Sequence, residues 1–353
     1  MEKRIAIIGC GNIFSKHIEA IKIQEKKKRL RLVAICDPNK NLLNSIHLKN
    51  VKKYYSITNL IKSEKLDVIS ILTPSGFHYE HIKRCIGKVK FLIVEKPITL
   101  KISHAKQLIS LSNKKNTKIF VVLQNRFNDP IIELKKAIDK KLFGKLFLAT
   151  IRLRWSRGEK YYSQSEWRGT WQLDGGVIAN QSSHFIDLFQ WLFGMPAKVF
   201  SRIKQMQKIG KEVEDTSLAI FEYNQKNKLG MIEATNAIRP KNLEGSISII
   251  GEKGTVVVGG ISGEKVIEWT IKKNSKVKKL LKAKYKKKNG HIKFYEYIIN
   301  NIIKNKKISL SIEEGLKSLK IVNSIYKSSK MNSTFSIDKI KDTYLGKKFK
   351  NED

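Results

Sequence analysis

The chain has 353 residues, of which 70 are Lys or Arg and 31 are Asp or Glu, giving a formal net charge of +39. An apolar content of 41% excludes a wholly disordered chain, and the length suits two domains. No apolar run approaches the roughly 20 residues that cross a bilayer, so we expect a soluble protein with no membrane partner.

The amino-terminal stretch and the cysteines predict a cytoplasmic location. MEKRIAIIGCG passes from charged residues directly into a strand-like run, without the apolar region and cleavage site of a signal peptide. Cys10, Cys36 and Cys85 are scattered and lack CxxC spacing, which indicates neither a disulfide framework nor a zinc site. We therefore expect no metal.

The positive charge has two interpretations. A basic surface attracts nucleic-acid phosphates, but the chain uses 59 Lys against 11 Arg and is rich in Ile and Asn, whose codons are also A/T-rich. The one dense run, 272–293, contains a single aromatic residue, Tyr285, and so lacks a base-stacking pattern. We favour biased composition, expect 272–288 to form an exposed loop or frayed helix, and predict no nucleic-acid partner.

The first 123 residues alternate short β-branched runs with amphipathic stretches. The runs are apolar throughout, as in parallel strands buried on both faces. They predict an α/β domain over residues 1–123, built as a Rossmann-type doubly wound parallel sheet. The predicted strands are 4–8, 32–36, 68–72, 91–94 and 119–123, and the helical stretches between them include 18–23, 78–86 and 103–112.

The pattern then becomes that of an α+β domain at 124–330, followed by a tail at 331–353. In the run 146–155, Ile151 and Leu153 alternate with arginines, as in a strand with one buried face. Short spacings between the later runs predict a largely antiparallel open sheet. The other predicted strands are 198–204, 217–223, 228–234, 245–250, 254–258 and 266–271, and the predicted helices are about 130–140, 177–191, 292–303 and 312–328.

A dinucleotide site is indicated where the first strand meets its helix. In GCGNIF, at 9–14, Gly9 permits a tight turn and Gly11 lets a pyrophosphate approach the backbone at the helix amino terminus. Phe14 replaces the third glycine of the fingerprint. Asp37 ends the second strand, where a carboxylate accepts hydrogen bonds from the adenosine ribose and repels a 2′-phosphate, so NAD is favoured over NADP.

Three later motifs carry a family resemblance. TPSGFH at 73–78, EKP at 95–97 and DGGVIANQSSHFID at 174–187, together with the glycine motif, resemble the Gfo/Idh/MocA family of sugar and cyclitol dehydrogenases. The resemblance extends from residue 4 to about residue 328, with the motifs in the family's order. It implies an NAD-dependent oxidoreductase that removes hydride from a sugar hydroxyl carbon, and a homo-oligomer formed through the C-terminal domain sheet.

The resemblance also implies residue roles. Lys96 and His184 would be the catalytic pair, with a cis bond before Pro97. Asn180 matches a position that is often Asp in the family, so proton handling would rest on Lys96 and His184. On a continuous helix Asn180 and His184, four residues apart, face one pocket. A lysine beside a cationic nicotinamide and a neutral histidine can both serve as a base, and which takes the proton first stays open.

The remaining site residues follow from the same resemblance and from the strand ends. The expected cofactor contacts are Gly9, Gly11, Asn12, Ile13, Asp37, Thr73, Pro74, Ser75, His78, Glu95, Lys96, Gln124, Trp167 and Arg168. The expected substrate contacts are Lys96, Arg126, Asn128, Arg168, Asn180 and His184.

Arginines gather in one segment of this lysine-rich chain. The planar fork of Arg binds carboxylate or phosphate through two hydrogen bonds, and Lys cannot reproduce that geometry. We favour substrate recognition over ordinary strand-surface ion pairs, which suit Arg152 and Arg154 best. Nearby aromatic residues suit stacking on a base or a sugar. The five arginines are Arg126, Arg152, Arg154, Arg157 and Arg168.

Within the family, the surrounding segments resemble the branch that oxidises UDP-N-acetylglucosamine uronic acid at C3, which supplies sugars for surface polysaccharides such as lipopolysaccharide. We therefore predict NAD-dependent oxidation of the C3 hydroxyl of a UDP-linked N-acetylhexosaminuronic acid, a nucleotide-sugar substrate. One alternative is a dehydrogenase of a neutral sugar or cyclitol, similar to inositol 2-dehydrogenase, against which the arginines argue. Another is a non-catalytic NAD-binding regulator, against which Lys96 and His184 argue.

Overall fold

The computed structural model describes residues 2–282 and 289–348, and these form two compact units. The first unit contains residues 2–124 and 289–316, and the second contains 125–282 and 317–348. The first boundary lies one residue beyond the predicted one. Assigning the helix at 292–303 to the second domain was wrong, because its apolar face is buried in the first unit, as described below.

The elements follow the predicted alternation closely. The strands are β1 (Lys3–Ile8), β2 (Leu30–Cys36), β3 (Lys52–Tyr54), β4 (Val68–Ile71), β5 (Phe91–Val94), β6 (Lys118–Val121), β7 (Leu146–Arg154), β8 (Lys198–Lys204), β9 (Thr216–Glu222), β10 (Leu229–Thr235), β11 (Glu244–Gly251), β12 (Gly254–Gly259), β13 (Lys265–Trp269) and β14 (Phe335–Ser336). The helices are α1 (Phe14–Lys26), α2 (Lys40–Ser45), α3 (Ile57–Ser63), α4 (His78–Cys85), α5 (Ile102–Lys114), α6 (Asp129–Asp139), α7 (Glu159–Tyr162), α8 (Ser183–Phe193), α9 (Ser275–Lys282), α10 (Gly290–Ile303) and α11 (Ile312–Met331).

The first unit is built on a parallel sheet of order β3-β2-β1-β4-β5-β6, which confirms the predicted doubly wound fold. The edge strand β3 was not predicted because its three residues, KKY, show no apolar run. Helix α10 buries Phe294, Tyr295 and Ile298 in this unit, and Tyr295 bonds to His17 of α1. An amphipathic pattern shows that a helix buries one face, but not against which sheet.

The second unit contains a mixed sheet of order β13-β12-β11-β7-β10-β9-β8-β14. Its paired strands run antiparallel except for β7 and β10, which are parallel neighbours with Ile151 opposite Ile232. The predicted alternation in β7 is confirmed, since Ile151 and Leu153 are fully buried while Arg152 is exposed.

The predicted continuous helix at 177–191 is interrupted at its start. Val177–Gln181 form a π-helical turn, and α8 begins at Ser183. The carboxylate of the buried Glu214 accepts the amide hydrogen of Ile178, within this turn, at 3.0 Å.

The structure describes only part of the basic run 272–293. Residues 275–282 form α9, with Val277 buried, while 283–288 and the last residues of the predicted tail, 349–353, lie outside the described residues. Within the described residues, the helices are too short or too polar to cross a bilayer.

Candidate functional site

The glycine loop after β1 has the shape that a dinucleotide requires. Gly9 has φ +94°, and a Cβ there would lie 2.9 Å from the backbone of Leu72 and Thr73, so only glycine fits. Gly11 is exposed, and a Cβ there would meet nothing within 4 Å. The open space beside Gly11 and the start of α1 at Phe14 form a cradle that suits a pyrophosphate.

Asp37 connects the end of β2 to this loop. Its carboxylate accepts the amide hydrogen of Cys10 at 2.9 Å and that of Asn39 at 2.9 Å. The side chain is half-buried, so it stands at the rim of the cradle. Asn12 is exposed and Ile13 half-buried in the same turn.

The other expected cofactor residues of the first unit follow β4, β5 and β6. Because parallel strands end at one edge of their sheet, these residues share an edge with the glycine loop. Thr73, Pro74 and Ser75 are half-buried after β4, and Lys96 and Gln124 are half-buried after β5 and β6. The predicted cis bond between Lys96 and Pro97 is present.

Two expected cofactor residues, His78 and Glu95, have buried side chains that bond to the protein itself. His78 is fully buried, with its ring nitrogens 2.8 Å from the carbonyl oxygens of Thr73 and Pro97, and burial lowers its pKa. Glu95 is 7% exposed, and its carboxylate accepts the Lys96 amide hydrogen at 3.1 Å and bonds to His17. Both side chains thus have hydrogen-bond partners within the protein.

In the second unit, Asp174 links two predicted site segments. Its carboxylate accepts the amide hydrogen of Gly169 at 2.8 Å and a short hydrogen bond from the Asn180 side chain. Asp174 therefore fixes the loop after Arg168 relative to the turn that carries Asn180. His184, half-buried near the start of α8, lies four residues beyond Asn180.

The buried carboxylate of Glu214 holds the same turn through a hydrogen bond. Glu214 is 3% exposed, and its carboxylate accepts hydrogen bonds from the Ile178 amide and the Tyr326 hydroxyl, each at 3.0 Å. Burial raises the pKa of Glu214 to about 8. Gly176 is required beside it, since a Cβ there would overlap the carboxylate. Sequence analysis missed Asp174 and Glu214 as anchors because their partners are distant or in a turn of unpredicted type.

Arg157 and Arg168 stack on aromatic rings of their own segment, whereas Arg126 lies 4.9 Å from the ring centre of Trp191. The guanidinium of Arg168 lies 4.4 Å from the ring centre of Tyr161 and 4.8 Å from that of Trp167. Arg157 lies 5.0 Å from Tyr161 and 4.8 Å from Trp155. In the described part of the chain, neither arginine forms an ion pair with a carboxylate, and the Nε atom of each is buried without a hydrogen bond.

Electrostatics at this arginine–aromatic cluster (Trp155, Arg157, Tyr161, Trp167 and Arg168) favour an anion. Burial lowers the pKa of Arg157, and the charge of Arg168 adds to that effect. Two guanidinium groups without carboxylate partners leave positive charge that a bound carboxylate or phosphate would neutralise.

Arg126, which was expected to bind substrate, is held by an internal ion pair. Its Nε and Nη2 donate to the two carboxylate oxygens of Asp187 at 2.8 and 2.6 Å, and both side chains are nearly fully buried. Asn128 donates to the carbonyl of Ser262 at 2.7 Å. On β7, Arg154 forms a two-bond pair with Glu233, as the surface ion-pair interpretation expected.

Two family models match this chain, one over each part of it. Residues 3–123 match the family model for the oxidoreductase family, NAD-binding Rossmann fold, and residues 135–337 match that for the oxidoreductase family, C-terminal alpha/beta domain.

The WlbA dehydrogenase from Bordetella pertussis, solved with NADH and UDP-GlcNAcA, is 31% identical, with TM-score 0.87 over 95% of this chain and 97% of that chain. WlbA from Chromobacterium violaceum, solved with the same ligands, is 29% identical, with TM-score 0.87 over 95% and 96%. The scyllo-inositol 2-dehydrogenase (NADP(+)) IolW of Bacillus subtilis is 23% identical over 80% of this chain and 82% of its own length.

Proposed function

Because the chain belongs to the Gfo/Idh/MocA oxidoreductase family, with an NAD(P)-binding Rossmann domain, we propose that it oxidises the C3 hydroxyl of a UDP-linked N-acetylhexosaminuronic acid with NAD. The observation that carries this proposal is the similarity to two dehydrogenases solved with NADH and UDP-GlcNAcA, about one residue in three over nearly the whole chain. The product is the 3-keto sugar, and the pathway is surface polysaccharide synthesis.

The arginine–aromatic cluster supports an acidic substrate. A uronic acid linked to UDP carries a carboxylate and a diphosphate. Arg157 and Arg168 offer two guanidinium groups that have no carboxylate partner among the described residues. The aromatic rings around them provide flat surfaces for a sugar or a base. A neutral cyclitol would leave this charge without a counter-ion, which is why we place an inositol substrate second despite the similarity to IolW.

Two of this chain's residues handle the proton in the proposed chemistry. Bound NAD supplies the acceptor for the hydride that leaves C3. Lys96 or His184 removes the hydroxyl proton as the C–O double bond forms, and the other donates a hydrogen bond to the developing ketone oxygen. Asn180, held through its amide by Asp174, orients the sugar.

Asp37 supports NAD over NADP as the cofactor. Its carboxylate stands at the rim of the glycine loop, where a 2′-phosphate would meet a like charge. Replacing Asp37 with Ala removes hydrogen bonds of about 1.5–3 kcal/mol each and should weaken NAD binding while NADP binding improves. Calorimetry with both nucleotides measures this change, and tighter binding of NADP by the unaltered protein would contradict the assignment.

The decisive experiment compares UDP-N-acetylglucosamine with its uronic acid while NADH formation is followed. We expect activity on the uronic acid alone, and equal rates on both would remove the carboxylate from recognition. Lys96→Met and His184→Ala should each lower kcat by about 10²–10⁴-fold without changing NAD affinity. Lys118→Met, at the exposed start of β6, is the matched control. Full activity of the Lys96→Met, His184→Ala double variant would refute the catalytic assignment.

We also propose that the chain forms a homo-oligomer through its second sheet. The face that carries Phe200, Leu218 and Ile220 is open, and these side chains are 39%, 56% and 53% exposed. Adjacent apolar side chains at this exposure favour burial against a second copy. Light scattering of the protein and of a Leu218→Lys, Ile220→Lys variant tests this, and an unchanged mass would contradict it.

A further inference from the structure

A buried cluster in the first unit has no part in the chemistry above. His17 on α1, Glu95 after β5 and His291 on α10 are 0%, 7% and 5% exposed. The Nε2 atoms of both histidines point to the same oxygen, Glu95 Oε1, at 2.9 and 3.4 Å. Three such groups hold either a metal ion or shared protons, and the surrounding hydrogen bonds distinguish the two.

Asn289 fixes the proton on one side of His291. The Asn289 amide nitrogen donates to the carbonyl of Lys16 at 3.0 Å and to the carboxylate of Glu19 at 2.8 Å, which defines its orientation. Its oxygen accepts the His291 amide hydrogen and lies 3.0 Å from His291 Nδ1. Since the amide oxygen is only an acceptor, Nδ1 carries a hydrogen.

The opposite side of the His291 ring then requires a second proton. With Nδ1 protonated, a neutral ring would present a lone pair from Nε2 to the carboxylate oxygen of Glu95 at 3.4 Å. Two lone pairs facing each other in a buried site repel, whereas an Nε2 hydrogen makes a charge-assisted bond. This geometry favours an imidazolium at His291 over a neutral ring.

His17 is satisfied as a neutral ring. Its Nδ1 lies 2.9 Å from the Tyr295 hydroxyl, which also lies 3.0 Å from the Ser70 hydroxyl. With Ser70 donating to the Tyr295 hydroxyl and Tyr295 donating to His17 Nδ1, the ring hydrogen of His17 lies on Nε2. That hydrogen is donated to Glu95. Burial lowers the pKa of His17, which agrees with a neutral ring.

Glu95 is thus an ionised carboxylate inside the protein. Burial alone would raise its pKa, but the hydrogen bonds from His17 and His291 and the charge of His291 outweigh burial and hold the pKa well below its usual range. Its second oxygen accepts the backbone amide hydrogen of Lys96 at 3.1 Å. The carbonyl of Pro97 is held from the other direction by His78.

We propose that Glu95, paired with a His291 imidazolium and a neutral His17, forms a buried network that positions Lys96 for proton transfer. The proposal rests on the function proposed above for Lys96. The network adds one negative and one positive charge, so it remains neutral and needs no metal. Glu95 and His291 are positioning residues, since they reach the reacting atoms only through the Lys96 backbone.

The charge states can be measured without any substrate. In protein labelled with ¹⁵N-histidine, we expect hydrogens on both ring nitrogens of His291 and on Nε2 alone of His17. His291→Gln and Glu95→Gln variants assign the signals. A neutral His291 ring would overturn the proposal, even if the enzyme proved inactive on every sugar tested.

Kinetics test the positioning role. Glu95→Gln keeps an acceptor for the Lys96 amide but removes the charge, and His291→Gln removes the imidazolium. Each should lower kcat by about 10- to 100-fold, because small misplacements of a reacting group are costly. KM and NAD affinity should stay the same. His47→Gln, at an exposed histidine, is the control. An unchanged kcat in both folded variants would refute positioning.

Metal analysis gives the third arm. Protein purified without chelator should contain no stoichiometric zinc, and added Zn²⁺ should not displace the His291 protons. One tightly bound zinc per chain, lost in His17→Gln, would show that the cluster is a metal site and would overturn the proton assignment.

Discussion

The arginines of β7 and its flanking segments form two groups that sequence composition does not distinguish. Arg126 and Arg154 each place both arms of the guanidinium on a carboxylate of the protein, Asp187 and Glu233. Arg157 and Arg168 lie against aromatic rings and form no ion pair within the described residues. A guanidinium already bound by an internal carboxylate contributes to stability, whereas one without such a partner remains able to bind an anion.

The largest expected effect comes from breaking the buried member of the first group. Arg126→Ala leaves Asp187 charged and without its main partner, which should lower the free energy of unfolding by about 3–5 kcal/mol. Urea denaturation followed by circular dichroism measures the loss. The Arg126→Met, Asp187→Leu double variant should recover much of it, because the uncompensated charge is gone. If Arg126→Ala left the free energy of unfolding unchanged, Arg126 would again be a candidate substrate ligand.

The second group should respond in kinetics rather than in stability. Arg168→Lys keeps the charge but loses the fork, and a lost hydrogen bond to a charged group is worth about 1.5–3 kcal/mol. We expect KM for the uronic acid to rise about ten- to hundredfold, with little change in kcat. Arg152→Lys, exposed on β7, is the matched control. Equal KM values for the Arg168→Lys and Arg152→Lys variants would mean that Arg168 contributes no more to substrate binding than an exposed arginine does.

The smallest effect is expected at the surface member of the first group. The Arg154 side chain is 31% exposed and pairs with Glu233 on the neighbouring strand. Exposed ion pairs contribute about 0–1 kcal/mol, so Arg154→Ala should change the free energy of unfolding by no more than that. A change as large as that of Arg126→Ala would mean that the contributions of these two ion pairs to stability do not depend on their exposure.

Sequence reasoning succeeded where the backbone sets the role of a residue. Gly9 and the strand ends of the first unit follow from the order of apolar runs and from a short motif, and the cis bond before Pro97 follows from the family resemblance. It failed where the partner of a side chain lies far away in sequence. Arg126 and Asp187 are 61 positions apart, and His291 is 196 positions from Glu95. Pairing over such distances depends on packing, which periodicity does not report.

The parallel pairing of β7 with β10 has a consequence for how this protein can diversify. The excursion of residues 155–228 runs from the end of β7 to the start of β10 and includes β8 and β9 of the same sheet. This excursion carries Arg157, Arg168, Asn180 and His184, while the two strands that flank it remain hydrogen-bonded to each other. Within it, residues 155–197 precede β8 and carry these four side chains outside the strands, so a chimaera with a foreign 155–197 should inherit the donor's sugar preference on the recipient's scaffold.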